Sequence, residues 1–530
     1  MADDAQLLAH WRLDGSAEDV SGSGAHGVAT DVAYEVLPGG QGKAAIFNGR
    51  TSRIRIDRSP LEGNEEFTIA LWARTDESVD DVHGDLLSWF DPATRTGLNL
   101  GVNTSYGVTT HQPNFRHLYF GVDASTKPVL RECGRPGNAI YVMALATFEG
   151  ELYAGTFETE AHESGHVYRY AGGQEWEDCG SPDPCNSVSA LAVYNGALYA
   201  GVTRYNARGS SLPPSPNEHP GGRVYRYAGG KEWIDCGRLP GADSVMSLTV
   251  FKGELYAIPL YSQGMFRYAG GTRWEDCGTP GRRLMALGVY DGELYAAGNE
   301  GGGVFRYAGG TNWAECGYQE GMTQIYSFAV YRGELHIGAW PEARVYAYDG
   351  RQGWIDRGRL GDELETMGMM VYNGKLYAGT LPLAEIYRYD GGTTWTRLQQ
   401  LDLTPDVRYR RAWSMAVYGG RLYCGTLPSG RVYSLEAGSC VTCDRELRPG
   451  WRHIAAVRTR SALSLYVDGV EAARTDSPKA GLHLANDTPL YIGFGPVDSF
   501  LGAMRDVRLY RAALSEEQVR DLALTEVLKR

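Results

Sequence analysis

Seven times the chain returns to one pattern, and that repetition limits the fold more than anything else in it. In the copy at Val250–Asp276, VFKGELYAIPLYSQGMFRYAGGTRWED, an apolar strand reaches a turn and Gly-Glu-Leu-Tyr starts a second strand. A loop follows, Phe266-Arg267-Tyr268 forms a third strand, and Ala-Gly-Gly leads into Trp, an acidic residue and Cys. The turn glycines are Gly150, Gly196, Gly253, Gly292, Gly333, Gly374 and Gly420, with spacings of 46, 57, 39, 41, 41 and 46. A period near 40 with several short strands per unit is the signature of propeller blades. The four strands expected in this copy are Val245–Phe251, Glu254–Ile258, Met265–Tyr268 and Trp274–Cys277, hereafter A to D.

Strand bookkeeping fixes the number of units and how the ring closes. The D pattern appears at Glu132-Cys133, Asp178-Cys179, Asp235-Cys236, Asp276-Cys277 and Glu315-Cys316, with weaker copies at Asp356-Arg357 and Thr396-Arg397. It is offset by one: Val129–Gly134 precedes any A strand, while the last A-B-C set, Ala412–Leu435, has no D strand after it. Pairing these two seals a seven-bladed ring and leaves no open sheet edge. The repeated Trp176, Trp233, Trp274, Trp313, Trp354 and Trp395 read as packing between blades. The C-to-D turn, clearest in Tyr389–Trp395, resembles the Asp-box turn of sialidase-type propellers, with Arg388 where that family has Ser. That turn is structural and implies no sialidase activity.

The flanks have a different character. HWRLDGSAEDVSGSGAHG, AIFNGRTSRIRI and FTIALWAR resemble the first half of a laminin G-like, concanavalin A-like jelly roll. The second half of that family's pattern follows some 320 residues later as PGWRHIAAVRTRSALSLYVDGV, PLYIGFG and FLGAMRDVRLYRAALSEEQV. The resemblance implies a split β-sandwich, residues 1–125 and 446–530, with the propeller at 126–445 inserted in one of its loops. An inserted domain must start and end close together, as the ring closure requires. In such sandwiches a structural calcium ion commonly sits near the terminal strands, and the matching positions are Asp14, Asp19 and Asp506. Ordinary capping carboxylates are the other reading.

The 530 residues contain no run of 18 apolar residues, so no membrane span is expected. A net charge of −13 argues against general nucleic-acid binding. Five of nine cysteines (Cys133, Cys179, Cys236, Cys277 and Cys316) occupy one repeat position, too far apart around a ring to pair, and read as small buried hydrophobes. Cys440-Val-Thr-Cys443 is a lone CxxC, a weak zinc signal or a local disulfide. The N-terminus lacks a basic region and an apolar core, so no signal peptide is expected. A chain trimmed at that end would read the same, which leaves an extracellular or periplasmic setting open. No dinucleotide fingerprint or phosphate loop points to an organic cofactor.

Repeats agree where they build scaffold and can differ where they build a site. At the start of strand A the seven copies carry Tyr141, Ser187, Ser244, Arg283, Gln324, Glu365 and Arg411. Two residues on they carry Met143, Ser189, Met246, Met285, Tyr326, Met367 and Trp413. At the start of strand C they carry His166, Arg223, Gly264, Gly303, Arg344, Glu385 and Arg431, and the last D-to-A loop adds Arg408, Tyr409 and Arg410. Arginines gathered around the axis of an acidic protein suit an anionic ligand, unless they pair with acids of the scaffold. Two B-to-C loops are long, Thr156–His166 and Thr203–Arg223, and long loops on a rigid frame commonly wall a binding site. His162, His166 and His219 lie in or beside them.

Jelly rolls joined to propellers resemble proteins that act on or bind glycans, an argument at the level of fold. One expectation is an enzyme on an acidic polysaccharide. A lyase would use Arg283 and Arg411 on the uronate carboxylate and Tyr326, His166 or His219 for proton transfer. A glycoside hydrolase needs paired carboxylates, and only Glu365 and Glu385 stand near the axis, which favours the lyase slightly. The other expectation is non-catalytic glycan binding, with Tyr141, Tyr326 and Trp413 stacking on sugars and Arg223, Arg344, Glu365 and Arg408 bonding to them. A protein-interaction scaffold is the third.

Overall fold

The computed structural model describes residues 7–40, 42–76, 83–351 and 353–527. Strands dominate, and the one α-helix among the described residues is Glu516–Val527. Two sheets form the sandwich, and both draw strands from the two ends of the chain. In the first, Phe67–Thr75 lies between Leu501–Tyr510 and Gly450–Arg458. In the second, Leu490–Ile492 lies between Arg53–Ile56 and Gly84–Asp91. Alternation in sequence sets which side faces in: Arg53–Ile56 reads exposed, buried, exposed, buried. Trp11, Phe47, Phe67, Phe120, Leu465 and Phe500 meet between the sheets.

The chain rejoins the sandwich earlier than the sequence suggests. Ser439–Cys443 pairs with His117–Ala124 along its whole length, so the propeller segment ends before residue 439 rather than at 445. The reason is an edge: His117–Ala124 would otherwise present unpaired backbone. This placement also settles the CxxC. Residues three apart on a strand point to opposite faces, and Cys440 and Cys443 are both free thiols, like the other seven cysteines.

The insert folds into four-stranded antiparallel units. Five are separate sheets, and an eight-stranded sheet divides into two more where only Phe157 and Ser187 join them. The ring closes as the strand offset requires: Val129–Glu132 pairs with Val432–Glu436. Strand A is innermost, and the A strands follow one another around the axis until Tyr141–Phe148 meets Arg411–Tyr418.

The repeated Trp residues tie each unit to the one before it. Each indole N–H donates to a backbone carbonyl on the D strand of the preceding unit: Trp176 to Cys133, Trp233 to Cys179, Trp274 to Cys236, Trp313 to Cys277 and Trp354 to Cys316, at 2.8 to 3.1 Å. The acceptor is main chain, so this bond does not require cysteine. In the sixth case Trp395 donates to the carbonyl of Arg357 at 2.9 Å.

The propeller stands on the sandwich by its A-to-B turns. The Gly150 N–H donates to the Asp444 carbonyl, Arg332 and Gly333 N–H to those of Pro496 and Val497, and Gly420 N–H to the Thr442 hydroxyl. The Asn373 carboxamide donates to the carbonyls of Val122 and Ala437. Beside it Lys375 and Asp123 form an ion pair with 3% and 1% of their side chains exposed.

From the same side a sandwich segment, residues 104–116, rises into the central channel. Thr110 donates its hydroxyl proton to the Met143 carbonyl, His111 bonds to that of Met415, and Gln112 N–H donates to that of Leu191. Gly107 accepts from Phe328 N–H. A Cβ at Gly107 would lie 2.7 Å from the Leu287 carbonyl oxygen, and its φ is +59°, so only glycine fits. Thr109, Thr110, His111 and Gln112 are fully buried. The channel is therefore filled from the sandwich side, and the D-to-A and B-to-C loops make up the propeller's opposite face.

Candidate functional site

On that opposite face the three sets of disagreeing positions meet different fates. The second set forms a closed layer across the axis. Met143, Met246, Met285, Met367 and Trp413 pack in one buried cluster with Tyr141, and Tyr326 lies against it. Trp413 stacks edge-on with Tyr141 and Tyr326, at centroid distances of 5.6 and 6.0 Å, and its indole donates to the Met143 carbonyl at 2.9 Å. It joins the last unit to the first and is 2% exposed. It offers no face to a sugar.

The third set pairs within its own units. His166 bonds to Asp178 at 2.7 Å, Arg223 to Asp235 at 2.5 Å and Arg344 to Asp356 at 2.7 Å and to Glu342 at 2.8 Å. Arg431 meets Glu132, and Glu385 takes Arg397 and the Tyr387 hydroxyl. Apart from Glu342, two residues before Arg344, the partner acid, or Arg397 opposite Glu385, lies on the adjoining D strand. The structure therefore sets His166, Arg223 and Arg344 in cross-strand pairs, not around the axis. Such part-exposed pairs contribute little energy. Their varied chemistry in the sequence reflects exchange of one pair for another. Arg283 faces Glu300 at 3.3 Å. Arg408 is exposed over the Tyr409 ring at 4.8 Å, and His219 lies exposed on its loop.

Three members of the first set converge. Glu365 and Arg411 begin the innermost strands of neighbouring units, both buried at 3% and 7% exposure, and Tyr141 adjoins them. Burial pushes the Glu365 carboxyl up to about 8, against the opposing pull of the Arg411 guanidinium. Oε1 of Glu365 and Nε of Arg411 have no hydrogen-bond partner. Uncompensated polar atoms at such depth are costly in a scaffold.

The long loop from Arg204 to Gly222 covers this pair. Ala207–Ser210 makes one 3₁₀ turn, and the Asn206 side chain at its start accepts the Arg208 N–H. The Ser210 hydroxyl accepts from Arg411 and also bonds to the Tyr205 hydroxyl. Two asparagines hold the loop in place. The Asn186 carboxamide bonds to both backbone groups of Tyr205, and Asn217 donates to the carbonyls of Glu163 and Pro184. The Tyr261 hydroxyl accepts the Asn206 N–H at 2.8 Å. Between this loop and the neighbouring unit opens a cavity of about 500 Å³. Its wall includes Arg204, Tyr205, Arg208, Glu218, Asp243 and the half-exposed ring of Tyr261. Tyr205 and Ala207 belong both to this wall and to the axial cluster. They are the partition between the cavity and the buried pair. The loop's length marks it in the sequence; Tyr205, Ser210 and Tyr261 carry no repeat-based signal.

In the sandwich, the carboxylates expected to hold calcium already have protein partners. Asp19 accepts from the N–H of His10, Ser21 and Ala25 and from the Ser23 hydroxyl. Burial opposes its ionisation, but these bonds hold its carboxyl well below the usual range. Asp506 pairs with His10 at 2.6 Å and Arg508 at 2.8 Å, and Asp14 accepts the Lys43 N–H. These bonds engage all three carboxylates within the protein; a calcium ion would need several such oxygens as ligands. Among the described residues no three His, Cys, Asp or Glu side chains group as a metal site. No helix among the described residues is long and apolar enough to cross a membrane.

Comparison with known proteins agrees with the two-domain architecture. The model of the concanavalin A-like lectin/glucanases superfamily matches residues 413–520, and that of the DUF6242 β-propeller domain matches residues 221–423. The chain thus carries a concanavalin A-like, laminin G-like domain and a β-propeller domain. No curated protein matches the chain in sequence. Virginiamycin B lyase from Staphylococcus aureus aligns over 58% of this chain and 99% of its own, at 9% identity and TM-score 0.47. The sialidase of Trypanosoma rangeli aligns over 75% and 98%, at 13% identity and TM-score 0.31. Domain 4 of AbnA, an extracellular arabinanase of Geobacillus stearothermophilus, aligns over 98% of both chains, at 10% identity and TM-score 0.25. Likeness at this level carries no argument about activity.

Proposed function

We propose that this protein is a carbohydrate-active protein that binds a glycan on the propeller face turned away from the sandwich. The observation that carries this reading is the cavity under the Arg204–Gly222 loop. A tyrosine ring fixed through its hydroxyl stands among two arginines and two carboxylates. An aromatic face with both donors and acceptors around it suits a polyhydroxylated ring. Arg204 and Arg208 are offset by Glu218 and Asp243, so the charge balance of the wall favours hydroxyl groups over a polyanion.

Binding without reaction is favoured over elimination. A lyase needs its arginine and its proton-transfer groups at one carboxylate. Here Arg283 is engaged with Glu300, Arg411 is covered by Ser210, and His166 is held by Asp178. Calorimetry against neutral and uronate oligosaccharides tests the reading. A positive member is expected to lose about tenfold or more in affinity with Tyr261→Ala, and uronate polymers are expected to yield no absorbance of an unsaturated sugar end. That absorbance, abolished by Arg411→Ala, would restore the lyase reading. Full affinity in Tyr261→Ala would move the site elsewhere.

A further inference from the structure

The channel is filled from the sandwich side and covered on the other face by the Arg204–Gly222 loop, and that limits how a chain-like ligand can be engaged. On the sandwich side residues 104–116 fill it, tied by hydrogen bonds to the innermost strands at Met143, Leu191, Phe328 and Met415. Above them the methionine layer with Trp413 crosses the axis. Nothing can thread through. At the blind end, just behind Tyr205 and Ala207, lie one donor and one acceptor without partners, Arg411 Nε and Glu365 Oε1, both fully enclosed. They stand on adjacent innermost strands. The third feature is Ser210. Its hydroxyl occupies Arg411 and bonds to the Tyr205 hydroxyl, so a hydroxyl group already sits where a ligand would place one.

Resting on the carbohydrate reading above, we infer that this site takes the end of a glycan chain and not its interior, with vicinal hydroxyls of the terminal sugar bridging Arg411 and Glu365 in place of Ser210. One hydroxyl oxygen accepts from the guanidinium and the neighbouring hydroxyl donates to Oε1 of the Glu365 carboxyl group. A donor and an acceptor side by side match the two faces of a diol. The rest of the chain leaves through the cavity past Tyr261. A groove that binds chain interiors must be open at both ends, and this one is closed at one.

The test counts ends against mass. Gluco-, xylo-, arabino- and galacturono-oligosaccharides of one to six units, and their parent polymers, are titrated into the full chain by calorimetry. End recognition predicts affinity that stops rising after two or three units. It also predicts that polymers of one sugar but different length compete in proportion to their number of ends. Two variants sharpen the result, each checked for folding by its thermal midpoint. Glu365→Gln is expected to weaken binding about tenfold or more. Ser210→Ala, which removes the competing hydroxyl, is expected to strengthen it severalfold, an outcome that a purely structural loop contact would not give. Competition that follows polymer mass, or affinity that keeps rising to six units, overturns the end-on inference while leaving glycan binding intact. Absence of binding across all four series removes the carbohydrate reading itself and this inference with it.

Discussion

The two ends of the propeller channel are built on opposite principles. On the sandwich side, residues 104–116 bond to four innermost strands, and the A-to-B turns around them dock on sandwich backbone. On the other side the Arg204–Gly222 loop touches the axial pair through one serine hydroxyl and leaves polar atoms of Glu365 and Arg411 unmatched. The first is a foundation. The second is a cover held to the axis by few bonds; buried polar atoms stay unmatched at both ends, on His111 and Gln112 as on Glu365 and Arg411. Inserting one domain in a loop of another has thus fixed which propeller face is available.

The contrast is broken most forcefully at the foundation. Asp123→Asn leaves the Lys375 ammonium buried without its counter-ion, and about 3–5 kcal/mol of stability is expected to be lost in denaturant titration. If the variant unfolds at the wild-type midpoint, the docked face is not what holds the domains together.

The next test uses pH, because the two ends carry buried groups of opposite sign. Glu365 has a folded pKa raised to about 8 from 4.5, so between those values the unfolded chain gives up a proton that the folded one keeps. Stability then falls with rising pH by up to about 1.4 kcal/mol per unit, and Glu365→Gln should flatten that decline. His111 at the foundation is held neutral by burial, its pKa lowered to about 4 from 6.5. Its contribution is complete above pH 6.5 and is lost as pH falls toward 4, so His111→Gln should soften acid unfolding. Identical pH profiles of wild type and both variants would sink the electrostatic part of the comparison.

A smaller effect probes the ring between the two ends. Trp274→Phe removes the donor to the Cys236 carbonyl, and about 1–2 kcal/mol is expected to be lost. Cys236→Ala should leave that bond in place, because the acceptor is main chain. Smallest of all, EDTA is expected to leave the thermal midpoint unchanged, since Asp19 and Asp506 are already bonded within the protein. A clear drop would support a calcium ion in the sandwich.

Much of the scaffold was legible beforehand. The turn glycines fixed the repeat, and the offset of Val129–Gly134 from Ala412–Leu435 required the ring closure seen in the pairing of Val129–Glu132 with Val432–Glu436. The site was legible only in part. Glu365, Arg411 and Tyr141 lie together at the axis, whereas Arg223, Arg344 and His166 pair with acids of their own units. Comparing repeats shows where side chains differ. It does not show whether each difference is answered by a partner on the next strand, because that depends on register.

What the sequence determined by itself was everything periodic: strand order, unit length, the Trp positions, and two flanks that need each other to complete a sandwich. These follow from local turn chemistry and alternation, which each segment carries within itself. Only the tertiary structure decided that a sandwich segment fills one end of the channel, that Trp413 is a seam and no platform, and that Ser210 covers Arg411 from a residue 201 positions away. Those outcomes are set by packing between segments far apart in the chain, where burial and unmet hydrogen bonds, not propensity, choose the partners.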